Sequence, residues 1–595
     1  MQKNREREKE EEKNLYFPPM RTHQKRGLLG IFLALCAVLL ALMIRLGVLM
    51  IGKVDYYGVA AREVQERERS IKAERGKILD RNGVELATNK AVATISVIHS
   101  QVTDPEKVIS VLSKELELEE AQVRKKVEKV SSMERIQSNV EKETAAKIRK
   151  YQLDGVMIDE DYKRWYPFDT LASKVIGFTG RDNQGIIGLE VKYEELLKGT
   201  DGTIYTLTNA KGQRLSGKAE RRKEPIPGNT LYTSLDYTIQ KYAQQLAEQV
   251  RKEKNAKSVK MILLNPQNGE IYAMVHVPEF DLNDPFTLVE QEEMETDSGK
   301  LSEKQNEMWR NGCISDTYEP GSTFKIITAV SALSEGKVKV SDSFYCPGYK
   351  IVEDRRIRCH KTVGHGAETF REGIMNSCNP VFIEIAERTG RNKMYYWYER
   401  LSIFEKTGID LPGEANSIFH KKKNVGEVEL ATMAFGQSIQ ITPMQLLRAA
   451  CAVVNGGTLV TPHIGVKVVS SDGQRMKPLE FEEKKQVVGA KESETMCQLL
   501  EAVVSEGGGK NAYIEGYSIG GKTATSEKLP RRSGKYISSF LGFAPVQDPQ
   551  VIALILIDEP EGAYYGGVIA APVIKTLYEN ILPYLDMEPV VTVQE

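Results

Sequence analysis

The most uneven stretch of the chain lies near its N-terminus. Residues 27–44 (GLLGIFLALCAVLLALMI) carry no charge, and past Arg45 the apolar run continues through LGVLMI to Ile51. About 20 apolar residues span a bilayer, so the pattern predicts a transmembrane helix with Arg45 able to snorkel towards one interface. The run exceeds the roughly 7–15 residues of a secretory signal core, and no small-x-small site directly follows it, which favours a retained anchor. Arg21, Lys25 and Arg26 crowd the N-terminal edge. By the positive-inside rule, residues 1–26 are then a cytoplasmic tail, 27–51 the anchor, and everything past about residue 52 lies outside. No second apolar stretch of comparable length follows.

Beyond the anchor the pattern changes twice. Residues 53–225 are charged and mixed, with helical charge patterns (EKVISVLSKELELEEAQVRKKVEKV) and short strand-like pieces (AVATISVI). The stretch KGQRLSGKAERRKEPIPGNT is polar, basic and marked by Pro and Gly, the composition of a linker or exposed ribbon. From 231 to about 585, strands (MILLNP, IYAMVHV, VIALILID) alternate with long amphipathic helices such as SLDYTIQKYAQQLAEQVRK. That mixture predicts an α+β or α/β catalytic domain of over 300 residues.

Composition narrows the class without naming it. The chain has 595 residues, is 41% hydrophobic and 27% charged, and balances Lys+Arg 81 against Asp+Glu 82. It is therefore neither disordered nor polytopic, and a net charge of −1 gives no bulk field for nucleic acid. Seven cysteines in so long a chain are not a disulfide scaffold. Cys346 and Cys359, with His360 and His365, form the one suggestive group. Its spacing lacks the paired C-x2–4-C of common zinc sites. Outside the membrane, a disulfide between Cys346 and Cys359 is the expectation, tightening the entrance beside Ser322.

Three short motifs carry chemistry. In Tyr318-Glu-Pro-Gly-Ser322-Thr-Phe-Lys325, Pro320-Gly321 signals a turn, and STFKIITAVSAL reads as a helix burying Ile326, Ile327, Val330 and Leu333. Ser322 then sits in the first turn with Lys325 on the same face. A serine needs a base to become a nucleophile, and a lysine serves if burial keeps it neutral. The helix start supplies free N–H groups suited to an oxyanion. Asn376-Ser377-Cys378-Asn379-Pro380 can hold a hydroxyl and an amide beside that nucleophile. Gly520-Gly521-Lys522-Thr523-Ala524-Thr525 is the third. Gly516-x4-Gly521-Lys522-Thr523 also fits a P-loop, but neither an apolar strand before it nor a helix after it is present.

Ser-x-x-Lys, Ser-x-Asn and Lys-Thr, in this order and at these separations, resemble the signature of penicillin-binding proteins and serine β-lactamases. The chain is more closely similar to the class B, monofunctional penicillin-binding transpeptidases of the division and sporulation branch. Arg75-Gly-Lys-Ile-Leu-Asp80-Arg-Asn-Gly83 with Leu86-Ala87 resembles the family's box just outside the membrane. Arg164-Trp-Tyr-Pro167 and Gly177-Phe-Thr-Gly180 through Gly188-Leu189-Glu190 resemble its pedestal, or dimerisation, domain. Asn265-Pro266, Gly436-Gln437 with Thr442-Pro443 and Gln445, Phe540 to Pro545, and Ala571-Pro572 resemble its transpeptidase core.

The resemblance implies a five-stranded antiparallel sheet between helical layers. It also implies that Ser322 attacks the carbonyl between the terminal D-alanines of a peptidoglycan stem peptide, with Lys325 as base. Ser377 would relay a proton to the leaving amine, and Asn379 would orient the substrate and Lys325. Lys522, Thr523 and Thr525 would receive the terminal carboxylate. The N–H groups of Ser322 and Thr525 would form the oxyanion hole. No metal or organic cofactor is implied. β-Lactams would acylate Ser322, and a polytopic glycosyltransferase with divisome-type proteins would be the partners. The alternatives are a β-lactamase or β-lactam sensor, for which no Glu-x-x-x-Asn element precedes the third motif, and an inactive cell-wall scaffold. Ala524 stands where the family usually has glycine; its methyl is expected to slow acylation by bulky β-lactams, with the small Cys378 as a compensating neighbour.

Overall fold

The computed structural model describes residues 22–53, 56–57, 66–207, 221–289, 297–482 and 485–589. Its first element is the helix Thr22–Gly47, extended by a short wider turn over Val48–Gly52. From Lys25 to Gly52 it is long and apolar enough to cross a membrane, and its apolar window is not buried by any of the described residues. At about 1.5 Å per residue it reaches some 40 Å, which covers a bilayer's hydrocarbon core with room for tilt.

Past the anchor, the strand Glu85–Val97 organises the charged region. It pairs antiparallel with Val156–Trp165 from Thr88 opposite Trp165 to Val97 opposite Val156, and with Glu134–Val140 along its second half. Helices Pro105–Glu115, Glu120–Val127 and Lys142–Lys150 bury Val108, Ile109, Leu112, Val123, Val127 and Ile148 against it. The helical charge pattern of this stretch is thus divided between two helices. Glu117 takes left-handed backbone (φ 53°), and the second helix leaves at a new angle so that both apolar stripes face one sheet. Asp104 caps the first of them, accepting from the Lys107 N–H.

Three sequence boxes converge on one buried carboxylate. Arg75 Nε donates to Glu190 Oε2 at 2.6 Å, and Arg164 Nε to Glu190 Oε1 at 2.6 Å, with all three side chains essentially inaccessible. The rest of the Arg75 guanidinium donates to the Asn183 and Glu190 carbonyls and pairs with Glu194, while Arg164 also donates to the Gly76 carbonyl. Asp80, also buried, ties the turn that follows to the catalytic domain: its carboxylate accepts from the Asn82, Val84 and Tyr237 N–H groups.

The catalytic domain is built on a five-stranded antiparallel sheet in the order Ile271–Val277, Ser258–Leu264, Val551–Asp558, Tyr536–Ala544, Gly520–Glu527. Its central strands are buried on both faces, which explains their unbroken apolar runs. One face carries Tyr237–Glu253 and Ala571–Tyr584. The other buries the helix Lys325–Ser334 and its neighbours. The ribbon expected around 211–230 lies outside the described residues up to 220. Arg221–Lys223 then pairs with Gly202–Leu207 as a strand. The next strand, Thr230–Thr233, runs parallel to Ile78–Leu79 on one side and antiparallel to Gly465–Val469 on the other.

Glu190→Gln should lower the stability of the detergent-solubilised chain by about 3–5 kcal/mol, because two buried guanidinium groups lose their shared counter-charge. Denaturant titration followed by tryptophan fluorescence, which includes Trp165 beside this cluster, measures it; a loss below about 1 kcal/mol would show that the triad is not holding the pedestal.

Candidate active site

Ser322 sits in a 3-10 turn, Gly321–Phe324, that runs directly into the α-helix Lys325–Ser334. The turn is seated on backbone. The Gly321 N–H donates to the Gly436 carbonyl at 2.9 Å, and Tyr318 and Ile441 exchange both of their backbone bonds. Gly436 has φ +79°, and a Cβ there would fall 2.2 Å from the Gly321 carbonyl oxygen. Only glycine fits, which gives the Gly436-Gln437 pair a structural role. Thr442 and Gln445 form a reciprocal capping box on the helix Pro443–Val454, so they too are structural. Ser322 itself is half-buried, while Lys325 is 1% exposed.

Lys325 reaches across to the second motif. Its Nζ donates to the Ser377 carbonyl at 2.7 Å, to Asn379 Oδ1 at 2.7 Å and to Ser377 Oγ at 3.2 Å. Asn379 Nδ2 donates in turn to the Arg358 carbonyl, which fixes which end of the amide faces the lysine. Three donors meeting three acceptors is the pattern of an ammonium ion. Burial nevertheless pushes Lys325 down to about 8, although the neighbouring thiols and Glu368 oppose it. Ser377 holds its position with left-handed backbone (φ 50°), an unusual conformation for serine that aims both its carbonyl and hydroxyl at Lys325.

The third motif lies on the sheet's edge strand, Gly520–Glu527, which excludes the P-loop reading by its own conformation. Lys522, Ala524 and Ser526 share its buried face, and Thr523 and Thr525 are half-buried on the other. Lys522 Nζ donates to Ser377 Oγ at 2.9 Å, and Thr525 Oγ1 accepts from the Gly566 N–H at 3.0 Å. Burial, and secondarily the charge of Lys325, push Lys522 well below the ordinary lysine range. The hydroxyl of Ser377 therefore lies between two buried lysines.

One sequence expectation changes here. Cys346 and Cys359 are free thiols, so the expected disulfide is not formed. They are joined by a third thiol, Cys378, and by His365, with the four ligand atoms within 4.8 Å of one another. Cys378 therefore faces that group. The Ala524 methyl lies close to the serine turn: a side-chain carbon placed on Gly321 would lie 3.7 Å from Ala524 Cβ. The methyl is 4% exposed, between edge strand and turn. Spacing alone did not reveal Cys378; its signal was a cysteine lodged inside a catalytic motif.

Residues 259–579 match the penicillin binding protein transpeptidase domain, and residues 70–233 the penicillin-binding protein dimerisation domain. The chain is 37% identical to stage V sporulation protein D of Bacillus subtilis over 575 residues, covering 94% of this chain and 86% of that protein. It is 29% identical to the peptidoglycan D,D-transpeptidase FtsI of Buchnera aphidicola over 574 residues, covering 93% and 95%. In fold it is similar to penicillin binding protein 3 of Mycobacterium tuberculosis complexed with aztreonam, with a TM-score of 0.66 at 23% identity, covering 88% of this chain and 98% of that one. Penicillin binding protein 2X of Streptococcus thermophilus gives a TM-score of 0.72 at 20% identity, covering 88% and 81%. The chain belongs to the penicillin-binding proteins, of the class that joins a dimerisation domain to a transpeptidase domain.

With the Ala524 methyl buried close to the serine turn, Ala524→Gly should change acylation by small and bulky β-lactams by the same factor, to within twofold. Stopped-flow acylation rates measure this. A gain confined to bulky compounds would place the methyl's effect in the substrate groove instead.

Proposed function

We propose that this chain is a peptidoglycan D,D-transpeptidase that cross-links stem peptides through an acyl-enzyme on Ser322, in cell division or spore wall synthesis, and that β-lactams inhibit it by acylating the same serine. The observation that carries the reading is the Lys325–Ser377–Lys522 chain of contacts beside the Ser322 turn. In the free enzyme the proton rests on Lys325. When Lys522, Thr523 and Thr525 receive a substrate carboxylate, its negative charge favours a protonated Lys522. The Ser377 hydroxyl takes the proton from Lys325 and gives its own to Lys522, which leaves Lys325 a free base. Lys325 then removes the Ser322 proton as Oγ attacks the carbonyl between the two D-alanines. The Ser322 and Thr525 N–H groups hold the oxyanion, where one donor is commonly worth about 3 kcal/mol. Collapse breaks the C–N bond, and Ser377 passes a proton to the departing D-alanine amine. Asn379 keeps Lys325 aimed throughout. The acceptor amine of a neighbouring strand then attacks the ester, gives up its proton, and regenerates Ser322.

The same reading puts residues 1–26 in the cytoplasm and the catalytic domain outside, supported by Lys25 and Arg26 at the N-terminal edge of the anchor. The anchor and pedestal would meet a polytopic glycosyltransferase and other division-type membrane proteins, supported by the 37% identity to a sporulation protein and 29% to FtsI.

Intact mass after incubation with a penicillin should rise by one adduct, absent from Ser322→Ala; an equal adduct on that variant refutes the nucleophile. Ser377→Ala should acylate at least a hundredfold more slowly, the usual scale for losing a proton relay. A stable covalent band with labelled penicillin fits a transpeptidase, a transient one a β-lactamase, and none an inactive scaffold.

A further inference from the structure

The segment between the first two motifs folds into two small hairpins that take no part in the steps above. Ser343–Cys346 pairs with Gly366–Thr369, Cys346 opposite Gly366, which sets His365 beside Cys346. Tyr349–Val352 pairs with Arg355–Arg358, and the Cys359 N–H closes that hairpin on the Gly348 carbonyl at 2.8 Å. The fourth member comes from the catalytic loop itself, Cys378 between Ser377 and Asn379. Cys346, Cys359 and Cys378 are 0%, 2% and 0% exposed, and the His365 side chain is 6% exposed. Cys359 Sγ lies 3.6 Å from His365 Nδ1.

A second observation points to a cation. Glu368 is 4% exposed, and its Oε1, 3.9 Å from His365 Nδ1, has no hydrogen-bond partner. A buried carboxylate oxygen without a donor is costly unless positive charge stands nearby.

We propose that Cys346, Cys359, His365 and Cys378 bind a zinc ion in a closed tetrahedral site, and that the ion clamps the Ser377–Asn379 loop to the hairpins. With Zn–S of about 2.3 Å and Zn–N of about 2.0–2.1 Å, a tetrahedron has edges of about 3.6–3.8 Å. The present separations need only a small contraction to reach them. Three thiolates and an imidazole suit zinc by softness and by number, and leave no open position for substrate. Each thiol gives up its proton as it binds. The sequence objection, that Cys346-x12-Cys359-x5-His365-x12-Cys378 lacks close ligand pairs, falls away because hairpin register supplies the proximity. The ion is a positioning element: it holds the left-handed Ser377 and the start of the helix Asn379–Thr389, and through them the acceptors of Lys325.

Full-length protein, kept reduced in detergent and purified without a metal column, should carry about one zinc per chain by mass spectrometry of the metal. Cys36→Ser should retain it and Cys359→Ser should lose it. Less than about a tenth of an equivalent in the parent, or an undiminished content in a folded Cys359→Ser, overturns the site. Should Cys359→Ser fail to fold, cobalt exchange into the parent decides: thiolate charge-transfer and tetrahedral d–d bands support the site, and their absence overturns it. Thiols that alkylate only after a reductant, and not after a chelator, also overturn it in favour of a disulfide. The clamp itself rests on Ser322 as the acylated residue, whereas the metal count does not. Chelation should slow labelled-penicillin acylation at least tenfold, zinc should restore it, and an unchanged rate in metal-free enzyme refutes the clamp.

Discussion

The three motifs are held together around one buried amino group. Lys325 has lost nearly all contact with water, and what replaces the water is the backbone carbonyl of Ser377, its hydroxyl and the amide of Asn379. A charge in such a place is costly to keep without partners, so the two motifs that supply and receive those bonds constrain one another. Ser377 accepts an unfavourable backbone conformation to serve it. Lys522 arrives from the far edge of the sheet to share the same hydroxyl. Three segments more than 50 residues apart in sequence become a single hydrogen-bonded unit because each satisfies a buried polar group of another.

The pedestal uses the same logic on a larger scale. Glu190 bridges two arginines brought by separate boxes, each of its oxygens engaged by one of them, and Glu194 supplies the second negative charge. The boxes read as family markers, yet each is explained by a pairing it makes. Asp80 closes its own turn and at the same time caps the first helix of the catalytic domain through the Tyr237 N–H. These are specificity devices as much as stabilising ones: a carboxylate buried between two guanidinium groups tolerates few alternative arrangements of the strands that carry them.

How much of this the sequence disclosed follows from the range of each interaction. Ser322 and Lys325 stand three residues apart, so their shared helix face is a local fact, and the apolar runs of the sheet strands report burial directly. The individual strands and the anchor were legible for that reason, whereas the five-stranded antiparallel order came from the family resemblance. The break at Glu117 was not, because Leu116, Glu117 and Leu118 are all acceptable in a helix, and it is packing of both halves on one sheet that forces the turn. Nor was the convergence of Cys378 with Cys346 and Cys359. Their separations only acquire meaning once two hairpins have folded the intervening chain back on itself. For the Ala524 methyl, strand alternation gave the face it occupies, but not that the serine turn lies close to that face.

The strand Thr230–Thr233 is bonded to Ile78–Leu79 on one side and to Gly465–Val469 on the other. A boundary between two domains normally falls in a linker across which few contacts pass, and such a linker bends freely. Here it is hydrogen-bonded on both edges. Torque applied to the pedestal is therefore delivered to the catalytic domain through a sheet, with the stiffness of a lever and not the slack of a tether. The reach of the serine from the pedestal becomes a property of the folded chain, set in the same way that a caliper sets a gap.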